Sequence, residues 1–228
     1  MVSIDTVYQK VLAIANKEQR GYITPQEFNL FADQAQKDIF EQYFYDINQF
    51  NRVPGNDTEY SDMLRLLDEK LSIFKREAIL TYSNSGWYIK PTNTYLINSV
   101  LYKDRVMSEL SNQERVQAEN SLILKPRKKD PVYVQRQNRI YVYPITITTN
   151  TEVKANYVVK PVMPKWNYVV ANGEALYNLN GSQNFQLHAA EENNLVIKIC
   201  QLAGITMGNE IYQIGSQEEA KDIQQEKS

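Results

Sequence analysis

The residue types that most often carry chemistry are scarce in this chain. There is one histidine and one cysteine in 228 residues. His188 stands just before a helical pattern, where it reads as a cap or packing residue, because no partner at motif spacing accompanies it to make a general base or a ligand set. Cys200 falls beside the apolar side of the same pattern and reads as a buried, inert thiol, since nothing in its local sequence would lower its pKa. No glycine-rich phosphate loop, G-x-S-x-G elbow, H-E-x-x-H or calcium loop is present. Paired carboxylates stay open, because two acids brought together by folding leave no spacing signature among 27 acidic residues. The expectation is a chain that is not an enzyme, with no catalytic residues, no cofactor and no metal.

The one charge cluster is Lys125-Pro126-Arg127-Lys128-Lys129-Asp130-Pro131, a basic loop with proline at both ends. Lys125, Arg127, Lys128 and Lys129 are the candidate interface or phosphate-contact residues. The favoured reading is a solvated loop between a helix and a strand. Salt-dependent phosphate binding is the alternative, unsupported by a glycine-aromatic nucleic-acid motif or a recognition-helix pattern. Contact with an acidic neighbour is a third reading.

Composition bounds the rest. A chain of this length with 43% apolar residues can bury a sizeable core. With 25 basic and 27 acidic side chains the net charge is −2, which implies no long-range field drawing the whole protein to nucleic acid or anionic membrane. The single cysteine excludes an internal disulfide framework and fits folding in a reducing cytoplasm. Residues 1–21 are interrupted by Asp5, Gln9, Lys10 and Lys17, so no signal peptide is expected, and no run approaches the about 18 apolar residues of a membrane span. Sixteen tyrosines are the compositional oddity. A large ring with a polar tip suits surfaces that are buried in an assembly yet wet at their edges.

The first third has helical periodicity. Ile4, Val7, Val11, Leu12 and Ile14 share a face, with Gly21 as the stop. Thr24-Pro25-Gln26-Glu27 supplies a cap, a first-turn proline and a capping-box glutamate. From there Phe28, Phe31, Ala32, Ala35, Ile39, Tyr43, Ile47 and Phe50 form an apolar stripe, widened by Phe40 and Phe44, and Val53-Pro54-Gly55-Asn56 breaks the helix. A third helix over 58–74 places Met63, Leu64, Leu67, Leu71 and Phe74 opposite Asp62, Arg65, Asp68, Glu69 and Lys70. The three could close an antiparallel bundle.

After Lys75 the period becomes two. Strands are expected over 78–82, 86–90, 95–102, 132–134, 140–143, 145–148 and 153–159, with a tight turn at Lys103-Asp104-Arg105. In the last strand Val153, Ala155, Tyr157 and Val159 are expected on one buried face, opposite Lys154 and Asn156. A capped short helix runs from Ser111 to near Asn120, and Asn172-Gly173 signals a second hairpin. A last helix begins near Ala189 with Leu195, Val196, Ile199 and Leu202 as its apolar side and Gly204 at its end, followed by a polar tail over 215–228. The expected class is α+β: an N-terminal helical region (1–75), a β-rich, mostly antiparallel region with an inserted helix (76–180), and a C-terminal helix and extension (181–228), the helical parts packing as one body. No internal repeat is present.

The stretch from Tyr8-Gln9-Lys10-Val11 through Arg20-Gly21-Tyr22-Ile23-Thr24-Pro25-Gln26-Glu27-Phe28-Asn29, continuing to Phe40-Glu41-Gln42-Tyr43-Phe44, resembles virion structural proteins of short-tailed bacteriophages of the crAss-like group. Lys125-Pro126 through Pro131-Val132-Tyr133-Val134, then Ile140-Tyr141-Val142-Tyr143-Pro144, is similar to that family's central sheet. Ala155-Asn156-Tyr157 with Lys160-Pro161 and Trp166 is similar to the region that follows it. The resemblance implies a ring-forming neck or tail subunit, a dodecamer stacked below the portal, made in the host cytoplasm and residing in the virion. Its implied partners are further copies of itself, the portal and adjacent ring or tail proteins, with DNA and ejected proteins passing through the lumen and no membrane contact. It implies no active-site residues. Two other readings stand beside it: a DNA-binding accessory protein acting through the basic loop, and a tail-associated hydrolase built on an acid pair. A near-neutral chain suits a conduit, since a strongly basic lumen would retain DNA; the basic loop would then face outward or a protein partner.

Overall fold

The Thr24-Pro25-Gln26-Glu27 pattern starts the longest helix: Thr24 Oγ1 accepts from the Glu27 N–H at 3.3 Å, and Glu27 Oε2 accepts from the Thr24 N–H at 3.0 Å. The fold is given by a computed structural model that describes residues 1–17, 23–50, 58–83, 85–171 and 173–204. The expected helix breaks at Gly21 and at 53–56, the polar tail over 215–228, and Asn172 of the second hairpin lie outside the described residues. The chain divides into two units, one of residues 1–73 and 161–228, the other of residues 74–160. The class is α+β, with N-terminal helices and mostly antiparallel sheets.

The first unit holds α1 (Ile4–Lys17), α2 (Pro25–Phe50), α3 (Thr58–Ser72) and α5 (Glu192–Leu202). The α2 stripe is inside: Phe28, Ala32, Ala35, Ile39, Phe40 and Tyr43 are buried. Instead of the three N-terminal helices closing on one another alone, α5 packs against both α1 and α2, and α3 lies on α2. The reason is the sequence of α5, which buries Leu195, Val196, Ile199 and Cys200 and so needs cover on more than one side. Gly204, at φ +69°, follows the helix end and donates its N–H to the Gln201 carbonyl, where a side chain would strain. Residues 161–180, expected with the sheets, belong to this unit. They do so because Trp166 is buried against Tyr8 of α1, ring centroids 4.1 Å apart, and donates its indole N–H to Asp5 at 2.9 Å. The second hairpin pairs Tyr168–Ala171 (β10) with Glu174–Tyr177 (β11).

The second unit, described by itself, is two sheets sharing one core. β1 (Lys75–Ile79), β9 (Val153–Val159), β4 (Thr94–Tyr102) and β5 (Arg105–Val106) form one sheet in that spatial order; β2 (Tyr82–Ser83), β3 (Trp87–Ile89), β8 (Arg139–Tyr143), β7 (Val132–Arg136) and β6 (Ser108–Glu109) form the other. All pairs are antiparallel except β6 with β7. Lys75 pairs with Val158, so the chain enters and leaves this unit on neighbouring strands, the geometry of an inserted body. α4 (Asn112–Asn120) sits between β6 and β7 in sequence.

Three strand expectations are corrected. The run 78–82 is split, because the chain changes sheets at Leu80 and Thr81, with the buried Leu80 serving both sheets as core. Met107, buried between β5 and β6, makes the same switch. Residues 145–148 are a turn: Pro144 has no N–H for a ladder, the Ile147 N–H turns back to the Pro144 carbonyl at 3.1 Å, and only Ile147 reaches the core. In β9 the alternation slips after Asn156, opposite a register shift between Ile97 and Ser99, so Val158 is buried where Val159 was expected.

Candidate functional site

The basic loop is held by structure on both sides. Before it, α4 starts with a second reciprocal cap: Ser111 Oγ accepts from the Glu114 N–H at 3.3 Å and Glu114 Oε2 accepts from the Ser111 N–H at 2.7 Å. The Ser111 N–H first, and then the Ser111 hydroxyl, holds the Glu114 carboxyl below its ordinary pKa. Arg115 lies over the Tyr143 ring at 5.1 Å, Ala118 is buried, and Arg136 Nε donates to Asn112 at 2.9 Å, so the helix is fastened to β7 and β8. Beneath its start, Leu110 donates its N–H to the Tyr133 carbonyl, and the Tyr133 hydroxyl donates to Glu109 at 3.2 Å. Burial, then the Glu109 charge, pushes the Tyr133 hydroxyl up to about 12.

At the end of α4, Ser121 Oγ accepts from the N–H groups of Ile123 and Leu124 at 3.3 and 3.2 Å. This serine turn fixes the backbone of a run whose side chains point into water: Leu122 is 92% exposed, Ile123 87% and Leu124 69%. The predicted cations follow at once. Arg127 and Asp130 pair through their backbones in both directions, which puts Lys128 and Lys129 at the tip of a tight turn, and buried Pro131 returns the chain to β7. Lys125, Arg127, Lys128 and Lys129 are all exposed and all on this one loop.

The sequence reading took the cations and missed the three aliphatic residues beside them. An apolar tripeptide between a helix and a strand is ordinarily core, and nothing in its letters tells a buried run from a projecting one. Fully burying a leucine or isoleucine side chain is worth about 1.5–3 kcal/mol, so in a lone chain this run leaves about 5–9 kcal/mol of apolar burial unmade. A contiguous exposed apolar patch rimmed by charge is the mark of an interaction surface.

The net charge of −2 conceals a division. The 74–160 unit has 14 lysines and arginines against 7 acids, net +7; the rest of the chain has 11 against 20, net −9. The whole-chain argument against a long-range field therefore fails at the level of units, because the opposite charges are segregated.

No family model matches the sequence, and no curated protein is detectably similar to it.

The other sequence candidates lie elsewhere. The His188 Nδ1 accepts from the Ala190 N–H at 3.2 Å and caps the 3-10 turn 189–191 that leads into α5, so that nitrogen is occupied by backbone. Cys200 is fully buried, and burial pushes its thiol up to about 11, away from thiolate chemistry. Glu191 is the buried carboxylate among the described residues; burial pushes its pKa up, but hydrogen bonds from Lys70 and Asn194 outweigh that and hold it low, the opposite of what a general acid needs. Among the described residues no group of three or more histidine, cysteine or acidic side chains is placed to hold a metal, and no helix is long and apolar enough to cross a membrane.

Proposed function

We propose that the chain is a non-enzymatic structural subunit of a phage virion that forms an oligomeric ring in the neck or tail below the portal and contributes to the conduit for genome and protein ejection. The observation that carries the reading is the projecting Leu122-Ile123-Leu124 run, an apolar surface that the described residues leave exposed. The sequence resemblance to crAss-like neck and tail proteins supplies the setting and the twelvefold stoichiometry. A closed ring needs two different, complementary faces on each subunit. Segregation of charge into a cationic and an anionic unit supplies the raw material for such faces.

The test is the mass and symmetry of the purified protein, by light scattering and particle imaging, alone and with the portal. A ring, alone or on the portal, is the expected result; a stable monomer that also fails to join a portal complex contradicts it.

One observation favours a second reading. A unit of net +7 with four exposed cations on one loop is also what a DNA-binding accessory protein would present. That reading predicts affinity for duplex DNA that falls steeply with salt and weakens when Arg127, Lys128 and Lys129 are neutralised.

A further inference from the structure

We infer that the Leu122 to Lys129 projection is the plug of a head-to-tail contact, and that its occupant is the acidic helical unit of a second copy of this chain. The inference deepens the ring reading and rests on it.

The shape of the projection comes first. Its backbone is pinned by the Ser121 turn and by the Arg127–Asp130 pairing, so three aliphatic side chains and the Lys128-Lys129 tip are presented with little conformational freedom left to lose on docking. A pre-ordered apolar centre with cations around it is the layout of an interface core and rim.

Charge names the occupant. α2 and α3 carry nine carboxylates against three cations, and α3 exposes Leu66 beside Glu69. The 74–160 unit of one copy and the helical unit of the next are thus opposite in sign, +7 against −9, which draws them together and opposes like-to-like pairing. Because plug and receiving surface are different patches, the contact is heterologous and repeats from copy to copy, which is the kind of contact a ring is built from.

The same numbers disfavour the other surfaces that cations and leucines suggest. DNA offers phosphates but no apolar bed for Leu122, Ile123 and Leu124, and the −9 unit is repelled by it. An anionic bilayer would accept the aliphatic run but repels the same unit.

The full chain is tested in three variants: Leu122→Ser/Ile123→Ser/Leu124→Ser and Lys128→Glu/Lys129→Glu on the plug, and Glu41→Lys/Glu69→Lys on the helices. Sedimentation of wild-type protein should show assembly that weakens with salt. Each variant alone should lose it by about 100-fold in concentration dependence. Mixing the serine plug variant with the Glu41→Lys/Glu69→Lys variant should restore a dimer and nothing larger, because the mixture contains one intact plug and one intact receiving surface. Wild-type chains that assemble while all three variants assemble equally overturn the plug and leave the ring reading standing. A wild-type chain that is monomeric at every concentration and does not join a portal overturns the ring reading, and the plug with it. Loop-dependent binding to a labelled DNA duplex, or to phosphatidylcholine vesicles with about 30% phosphatidylserine, without self-association also overturns the plug.

Discussion

Lys70 of α3 and Glu191, in the turn that opens α5, form an ion pair at 2.6 Å, with the Glu191 side chain only 3% exposed. Asn194 donates to the second carboxylate oxygen at 2.9 Å, and the Lys70 ammonium also lies over the Tyr43 ring at 5.6 Å. Burial, then the Glu191 charge, pushes the Tyr43 hydroxyl far above its ordinary pKa. One buried carboxylate therefore ties three helical segments together.

Removing its partner should be costly. Lys70→Met leaves Glu191 buried and uncompensated, and about 3 kcal/mol of stability should be lost at pH 7 by urea denaturation. Because the folded Glu191 pKa lies below 4.5, the pair contributes in full above that value and is lost as the pH falls through the folded value. The gap between wild type and variant should shrink below pH 4.5. An equal gap at pH 7 and at low pH contradicts the pairing as the cause.

Among the described residues of this unit Gln36 is the other buried polar side chain, and its amide is used at both ends. It donates to the Val162 carbonyl at 2.8 Å and accepts from the Gln186 N–H at 2.8 Å, joining α2 to the chain that returns from the inserted unit. Gln36→Leu keeps the volume but leaves the part-buried Val162 carbonyl and Gln186 N–H without their amide partner, so a loss of about 1–2 kcal/mol is expected. Hydrogen exchange at the Gln186 amide should accelerate by more than the global loss accounts for; exchange that tracks global stability alone would show that the amide bond is not holding the segment.

Trp166 makes a third stability test. It stacks with Tyr168 at 5.7 Å and meets a tilted Tyr177 ring at 5.8 Å, besides Tyr8 and the bond to Asp5. Trp166→Ala should cost about 3–5 kcal/mol, and Trp166→Phe should recover most of that while losing only the share of the Asp5 bond, about 1–2 kcal/mol. Thermal melts of the two variants decide it, and equal losses would assign the whole effect to the hydrogen bond.

How much of this was legible in the sequence follows from the range of each interaction. The caps at Thr24 and Ser111 and the α2 stripe are visible because their partners lie three or four residues away. The sheet switches at Leu80 and Met107 and the slip after Asn156 are not, because they depend on strands paired across long stretches of chain, as in β1 with β9. At the candidate surface the cations were legible from composition, whereas the outward direction of Leu122, Ile123 and Leu124 is set by the Ser121 turn and the anchoring of α4 on Tyr143. Segregation of charge emerges only once the inserted unit is delimited.

The projecting run also makes a prediction about the isolated chain. Side chains that exposed make almost none of the core contacts that large-to-small changes destroy, so Leu122→Ser/Ile123→Ser/Leu124→Ser should leave the folding stability of dilute, unassembled protein within about 0.5 kcal/mol of wild type. Solubility should rise, because the apolar patch is removed. Tyr133→Ala, one element away, empties a buried site and should cost several kcal/mol in the same assay, on the order of other large core truncations. If the serine variant instead unfolds with a loss near that of Tyr133→Ala, the run is part of the core and its role is in folding. A neutral result separates the two roles: the loop then contributes nothing to holding the subunit together, and the apolar character of Leu122, Ile123 and Leu124 is left to act between molecules.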